Sequence, residues 1–398
     1  MQKKLYISRM NHIKRKLENE LKALLGSFPA VAIVGPRQCG KSTLALSHIE
    51  KLKAATRLDL EKPSDAQQLQ TPELYLESQS DKLICLDEIQ RVPELFPVMR
   101  SFIDDQNRNG VFLILGSASP DLLRQSSESL AGRIIYRELS PFLFSELFGN
   151  YSYKTLSSYW YRGGFPRSYL AKDDKMSLVW RKNFINTYLE RDVPGIKPGM
   201  TKLNIQRLLK MLAHMQGQTA NYSALGNSLG TSHHTVKNYI DLLAQTYMLR
   251  ILPPMLANTK KRLVKSPKLY LRDTGILHAL LDISGFEDLF SHPVFGASWE
   301  SLCIENLIQE FEDWEACFYR SSQGHEMDLV LTRGKKRLAF EFKVSKSPKP
   351  EKGFWSAITT IRPDATYIMA PVEIMYPTKE NVFVAGIQHI SEIYDRHN

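Results

Sequence analysis

The chain has 398 residues, 43% of them apolar and 24% charged, with a formal charge of +10. Two or three cores are expected at this length, and no run reaches the ~18 apolar residues that a membrane span needs, so no membrane partner is expected. The basic excess favours acidic partners, nucleotide or nucleic acid, and says nothing of fold.

In chain order, residues 1–26 are read as an N-terminal helix, because apolar residues over 9–27 recur at helical spacing. The first twenty residues are basic without an apolar run, so no signal peptide is expected. Residues 27–140 alternate strands with helices. PAVAIVGPRQCGKSTLALSHI reads as strand, glycine loop and helix; AATRLDL as a short strand; DKLICLDEI as a buried strand ending in two acids. PELFPVMRSFIDDQ is helical, and VFLILGSAS is a further buried strand. This alternation predicts a doubly wound parallel α/β sheet.

Within it, Gly35, Pro36, Arg37, Gln38, Cys39, Gly40, Lys41 and Ser42 match G-x-x-x-x-G-K-[ST], with Thr43 next in line. Glycines let the backbone curl so that successive N–H groups face phosphate oxygens. Lys41 then serves the β- and γ-phosphates, and the Ser42 hydroxyl serves magnesium. The helix that follows aims its positive end at the same anion. Asp87, at the end of an apolar strand, is the second magnesium residue, and Glu88 is placed to orient or deprotonate the attacking water. The separation of the two segments suits neighbouring strands. Read alone, the second segment is equally a buried strand ending in solvated acids. Ser117 is the candidate γ-phosphate sensor, against a plain strand-end turn. Arg133 is the candidate arginine finger, in cis or in trans, against a surface arginine.

These segments resemble the AAA-type ATPases of the P-loop class. The resemblance is closer to the bacterial and archaeal ATPases whose AAA core is joined to a C-terminal region of uncharacterised function. It rests on GPRQCGKSTLA, LDEIQRVPELFPVMRSFID, FLILGSAS, LAGRIIYRELSPFLFSEL, YRGGFPRSYL, KSPKLYLRDTGILHALL and GASWESLCIENLI, in that order over nearly the whole chain. It implies ATP binding and hydrolysis, with ATP and Mg2+ as cofactors. The stretch Ser117-Ala118-Ser119 departs from the less interrupted polar run of many relatives, which leaves the sensor open.

Residues 141–205 read as an aromatic-rich helical lid, with a loop at Arg162-Gly163-Gly164-Phe165-Pro166 and a breaker at Val193-Pro194-Gly195. Residues 206–253 read as a winged helix-turn-helix: Leu225, Leu229, Val236, Ile240 and Leu243 fit two packed helices, Gly230 the turn, and Thr231 or Ser232 a cap. In a DNA-binding reading His233, His234, Lys237 and Asn238 face the major groove; in the other, the module only packs. The adjacent histidines diverge on a helix, which argues against a metal there. Residues 254–398 begin with a basic connector reaching 268 and mix strands with a helix over 298–311. In this part, 324–331 and 337–344 read as a hairpin with its turn over 332–336. That pairing sets Asp328 opposite Glu341, with Lys343 on the same face. Two facing carboxylates need a cation between them, and a divalent metal beside Lys343 would supply it. The pattern resembles the restriction-endonuclease-like fold, with Glu300 as its upstream acid. The bland reading is a solvated face closed by a Glu326–Lys343 pair.

The four cysteines, Cys39, Cys85, Cys303 and Cys317, have neither zinc-ligand spacing nor the density of a disulfide framework, so a reducing cytoplasm is expected. Three functions fit: an ATPase whose nucleotide state moves its tail, on DNA in one form; an ATP-dependent metal nuclease; and a nucleotide-gated module that binds another protein with little turnover. Oligomeric state is left open.

Overall fold

Strands β1 (Ala30–Gly35), β2 (Ala55–Asp59), β3 (Leu83–Asp87), β4 (Phe112–Ser117) and β5 (Ile134–Glu138) pair in parallel in the order β2-β3-β4-β1-β5 in the computed structural model. The structure describes residues 13–52, 54–117, 129–147, 152–193, 201–255 and 266–398. Apolar runs make these strands because both faces are covered. Ala30, Ala32, Ile84, Leu86, Phe112 and Ile114 meet Leu95, Phe96, Met99, Phe102 and Ile103 of the helix Leu95–Gln106. Val31, Ile33, Leu83, Cys85, Leu113 and Leu115 meet the other layer. Alternate residues of a strand point to opposite sides, so one continuous apolar run fills two cores.

That second layer contains the helix Lys41–Ile49, through Leu44 and Ala45, and the leading helix Lys16–Ser27, through Leu17, Leu21 and Leu25. The leading helix is therefore part of the α/β layer structure rather than an appendage; the residues before 13 lie outside the described ones. The chain divides into two compact units, Met1–Phe142 with Gln245–Tyr247 and Leu143–Ala244 with Met248–Asn398.

In the second unit the expected lid, helix-turn-helix and tail share one buried cluster, and the other face of the tail sheet has a core of its own around Met327, Val330, Phe354, Ile361 and Val384. The shared cluster runs from Phe144 through Trp160, Leu209, Ile240 and Trp299 to Ile393. Two of the quoted segments meet in it. The half-buried Asp273 carboxylate accepts N–H bonds from Gly164 (2.8 Å) and Ile276 (2.9 Å), and the fully buried Arg181 donates to the carbonyls of Tyr161 and Gly275. The helices Tyr222–Leu229 and His233–Gln245 follow a helix Lys202–His214 and turn at Gly230, with the Ser232 hydroxyl accepting from the Thr235 N–H. Strand β6 (Leu249–Leu252) then pairs antiparallel with β7 (Lys268–Leu271). Residues 256–265 of the expected connector, and Pro194 and Gly195 of the expected breaker, lie outside the described residues.

The last sheet holds β8 (Glu315–Arg320), β9 (Glu326–Arg333), β10 (Lys336–Phe342), β11 (Ala365–Met369), β12 (Tyr376–Lys379) and β13 (Val382–Ala385) in the order β12-β13-β11-β10-β9-β8. β8, β9 and β10 form an antiparallel meander; the helix Lys352–Ile361 then crosses to β11, parallel to β10. The hairpin turn is tighter than 332–336, since Arg333 already pairs with Lys336.

Candidate functional site

The loop after β1 is built by backbone constraints. Gly35 has φ +154°, and a Cβ there would stand 2.3 Å from the Leu139 carbonyl oxygen. Gly40 has φ +108°, left-handed, and immediately precedes the helix that starts at Lys41. Between them Gln38 is also left-handed, with φ 62°. Alternating backbone hands of this kind turn consecutive N–H groups toward one point, the geometry that cradles an anion. Lys41 is 6% exposed, and its ammonium donates to the Gly35 and Pro36 carbonyls, both at 2.8 Å. Pro36 and Cys39 are buried, Arg37 and Ser42 half-buried, Gln38 and Thr43 exposed.

Asp87 and Gly35 end their strands at the same edge of the sheet, but β1 and β3 are not neighbours. β4 lies between them: Gly35 aligns with Ser117, and Leu115 with Asp87. Two strand spacings of ~4.8 Å and a stagger of two residues at ~3.3 Å put the two ends about 12 Å apart. A polyphosphate with its metal spans such a gap. The Ser117 backbone therefore sits in the middle of the site; its side chain, with Ala118 and Ser119, lies outside the described residues. Asp87 is 3% exposed, and Arg57 of β2 donates to its Oδ2 at 2.5 Å. Glu88 follows in the left-handed region (φ 60°, ψ 45°), a conformation that costs a non-glycine residue ~1 kcal/mol. Its Oε2 accepts a hydrogen bond from the Gln90 amide. Strain kept at a strand tip is characteristic of functional positions.

Arg133 is not brought to this site. It precedes β5, and its carbonyl accepts from the Ala30 N–H at the start of β1, so the length of β1, roughly 17 Å at ~3.3 Å per residue, separates it from the loop. Its guanidinium instead makes a two-pronged bond to Asp104, at 2.6 and 3.0 Å. A role toward the phosphates of its own site is excluded by that placement.

Two arginines that no motif singles out do reach the site. Arg57 lies on β2 two residues before Asp59, which pairs with Asp87; the only signal in the sequence is a charge at a strand end beside another acidic strand end. Arg15 lies behind the loop, donating to the Cys39 carbonyl. Among the described residues no group of three or more His, Cys, Asp or Glu could hold a metal ion. A P-loop site needs none, because phosphates and water complete the magnesium shell.

A family model described as an AAA domain matches residues 27–148. Models described as domains of unknown function, DUF8612 and DUF4143, match residues 153–287 and 295–390. An uncharacterised protein of Mycobacterium tuberculosis is 37% identical over 377 residues, covering 95% of this chain and 84% of the relative. The chain belongs to this family of AAA-domain proteins. An uncharacterised protein of Methanocaldococcus jannaschii is 23% identical over 346 residues, 80% of this chain and 75% of its own length. Among solved structures, a Walker-type ATPase of Pyrococcus abyssi superposes with a TM-score of 0.50 at 14% identity, over 69% of this chain and 97% of that one. That likeness shows a P-loop ATPase fold. No helix among the described residues is long and apolar enough to cross a membrane.

In the second unit of this AAA-domain chain, the four tail residues are brought into one neighbourhood. Continuing the β9–β10 register by one pair sets Asp328 opposite Glu341, and Asp328 Oδ2 accepts from the Phe342 N–H at 3.2 Å. Burial, and then the Asp328 charge, push the carboxyls of both Glu300 and Glu341 above the usual range. Lys343, just past the end of β10, pairs with Glu341 of that strand at 2.9 Å. Each of the facing acids has a lysine at hand, Lys343 beside Glu341 and Lys268 beside Asp328. Lys268 of β7, 4% exposed, places its ammonium 2.6 Å from Glu326, 3.3 Å from Glu300 and 3.4 Å from Asp328. Burial works against its charge, but Glu300 and Asp328 carry it well above the ordinary lysine range. The Tyr270 hydroxyl donates to Glu300 at 2.5 Å. Glu326 pairs with Lys268 and Arg320 rather than with Lys343.

Proposed function

We propose that the chain binds ATP with magnesium and hydrolyses it, and that its nucleotide state acts on the second unit. The observation that carries this is the parallel register: the loop 35–42 and the acids Asp87 and Glu88 end at one sheet edge with a single strand between them. In this reading the loop amides and Lys41 hold the phosphates, while Ser42 and Asp87 hold magnesium. Glu88, steered by Gln90, takes the proton of the attacking water, and Ser117 occupies the sensor position. Arg57 fixes one oxygen of Asp87 and so turns the other toward the metal and its waters. In Glu88→Gln, turnover should fall roughly 10²–10⁴-fold with ATP still bound, and Lys41→Ala should lose nucleotide affinity. Unchanged turnover in Glu88→Gln would refute the general-base role.

A second reading concerns nucleic acid. Helix 202–214, the helix pair and strands β6 and β7 follow in the order of a winged helix, and His233, His234, Lys237 and Asn238 are all exposed. This supports a backbone-level contact with DNA, with salt-sensitive affinity. The meander, crossover helix and parallel strand of the tail follow the order of a restriction-endonuclease-like core. Lys268, already paired with two of the acids that a cutting metal would need, favours a binding or scaffold role for that tail over an active nuclease. The third function, a gate for another protein with little turnover, is separated from the first by ATP turnover measured with and without DNA.

A further inference from the structure

The leading helix brings one charged group to the back of the phosphate loop. Arg15 directly precedes that helix, which Leu17, Leu21 and Leu25 anchor on the sheet. Arg15 is 5% exposed. Nη1 donates to the Cys39 carbonyl at 3.0 Å, and Nη2 donates to the Ser140 carbonyl at 2.7 Å and the Pro141 carbonyl at 3.4 Å. The same group lies over the Phe142 ring, 5.1 Å from its centroid. Residue 15 lies before the stretch that the AAA-domain model matches, which begins at residue 27.

We propose that Arg15 is a positioning residue for the nucleotide: it fixes the Cys39–Gly40 peptide so that the Gly40 N–H faces the phosphates, and it ties the loop to the segment that leaves β5. This rests on the nucleotide reading above. The peptide is trans, so a carbonyl held from behind directs its N–H to the opposite side, the concave side of the loop. A positive charge on the carbonyl also polarises the peptide and strengthens its N–H as a donor. The loop needs such a hold. Gly40 and Gln38 take left-handed angles, and a glycine flanked by such turns has several competing conformations in the absence of a brace. The other arm of the fork acts where β5 ends: Glu138 pairs with Val34, the Leu139 N–H bonds to the Val34 carbonyl, and Ser140 follows. One planar guanidinium thus spans the loop and residues 140–142, where the chain passes from the first unit into the second, so a shift of the loop pulls on that segment. A lysine in its place would keep the charge but not the fork.

The test uses the full chain as wild type, Arg15→Gln and Arg15→Lys. Affinities for ATP and ADP are measured by titration calorimetry, with the melting temperature recorded with and without nucleotide. Expected is an affinity loss of about tenfold for both nucleotides in Arg15→Gln, a smaller loss in Arg15→Lys, and a reduced nucleotide-induced rise in melting temperature in the same order. A merely structural role would lower the melting temperature without nucleotide and leave that rise intact, and this result would overturn the proposal. So would an affinity within about twofold of wild type in Arg15→Gln, well short of the tenfold that one charge-assisted bond supplies. Absence of ATP binding in the wild type would instead sink the nucleotide reading itself and take this one with it.

Discussion

Replacing Lys268 with methionine keeps the length of the side chain and removes its ammonium from among three carboxylates. Glu326, Glu300 and Asp328 stand 2.6, 3.3 and 3.4 Å from that ammonium, which is 4% exposed. Removing one partner of a buried ion pair costs about 3–5 kcal/mol, because the remaining charges lose their counter-ion and recover no water. For a unit of this size each 1 kcal/mol lowers the melting temperature by roughly 2–4 °C, so a fall of about 6–20 °C is expected near pH 8. The loss should depend on pH. Burial and the Asp328 charge already raise the Glu300 and Glu341 carboxyls in the wild type, and removing the lysine raises Glu300 further. A carboxyl whose folded pKa exceeds its unfolded value stabilises the fold at low pH and loses that contribution as the pH rises through the folded value. The variant should therefore approach wild-type stability as the pH falls toward the ordinary carboxylate range. Thermal melting of both proteins at pH 5.5, 7 and 8.5, with and without magnesium or manganese, checks this. A loss of equal size at every pH would refute the reasoning. Full rescue by a divalent ion would show that the acids form a metal site after all.

Burial holds His278 neutral, between the Tyr161 carbonyl and the Ser298 hydroxyl, and lowers its pKa from 6.5 to about 3. The unfolded chain takes up the proton first, so stability should fall as the pH drops below 6.5, by about 2 kcal/mol at pH 5 from this group. Urea unfolding at pH 7 and pH 5 should show that difference shrinking in His278→Gln; an identical difference in both proteins would count against it. At Gly275, a Cβ would lie 2.1 Å from the Arg162 carbonyl oxygen and 2.9 Å from the Gly163 nitrogen, both backbone atoms without a rotamer to yield. Gly275→Ala should cost more than ~2 kcal/mol in chemical denaturation, and a loss within the ~0.5 kcal/mol of an ordinary surface change would show that the segments are not so closely packed.

Buried acids and bases elsewhere in the second unit explain why some quoted segments carry structure rather than chemistry. Asp273 and Arg181 tie the glycine loop at 163–164 to the start of the helix Thr274–Leu280. Burial pushes the Glu305 carboxyl up, yet Arg250 and Arg272, bonded to it at 2.7 and 2.9 Å, pull it down to about 2. These groups lie in the interior, where an unpaired charge is costly, so segments far apart in the chain are held together by polar pairs as well as by apolar packing.

What the amino-acid order determined by itself was local. The loop from Gly35 to Ser42, the strand before it and the helix after it depend on residues within a few positions of one another, and so do the helix-turn-helix pair and the hairpin that sets Asp328 against Glu341. Tertiary structure decided everything that depends on which distant segments become neighbours. It put β4 between Gly35 and Asp87, left Arg133 at the opposite end of the sheet, packed residues of the expected lid, helix-turn-helix and tail into a shared cluster, and brought Arg15, Arg57 and Lys268 to sites that no spacing connects. The reason is that a motif records short-range backbone geometry, whereas a lone arginine or lysine acquires its role only from the carbonyls and carboxylates that folding carries to it, in these cases from 24, 30 and 60 positions away.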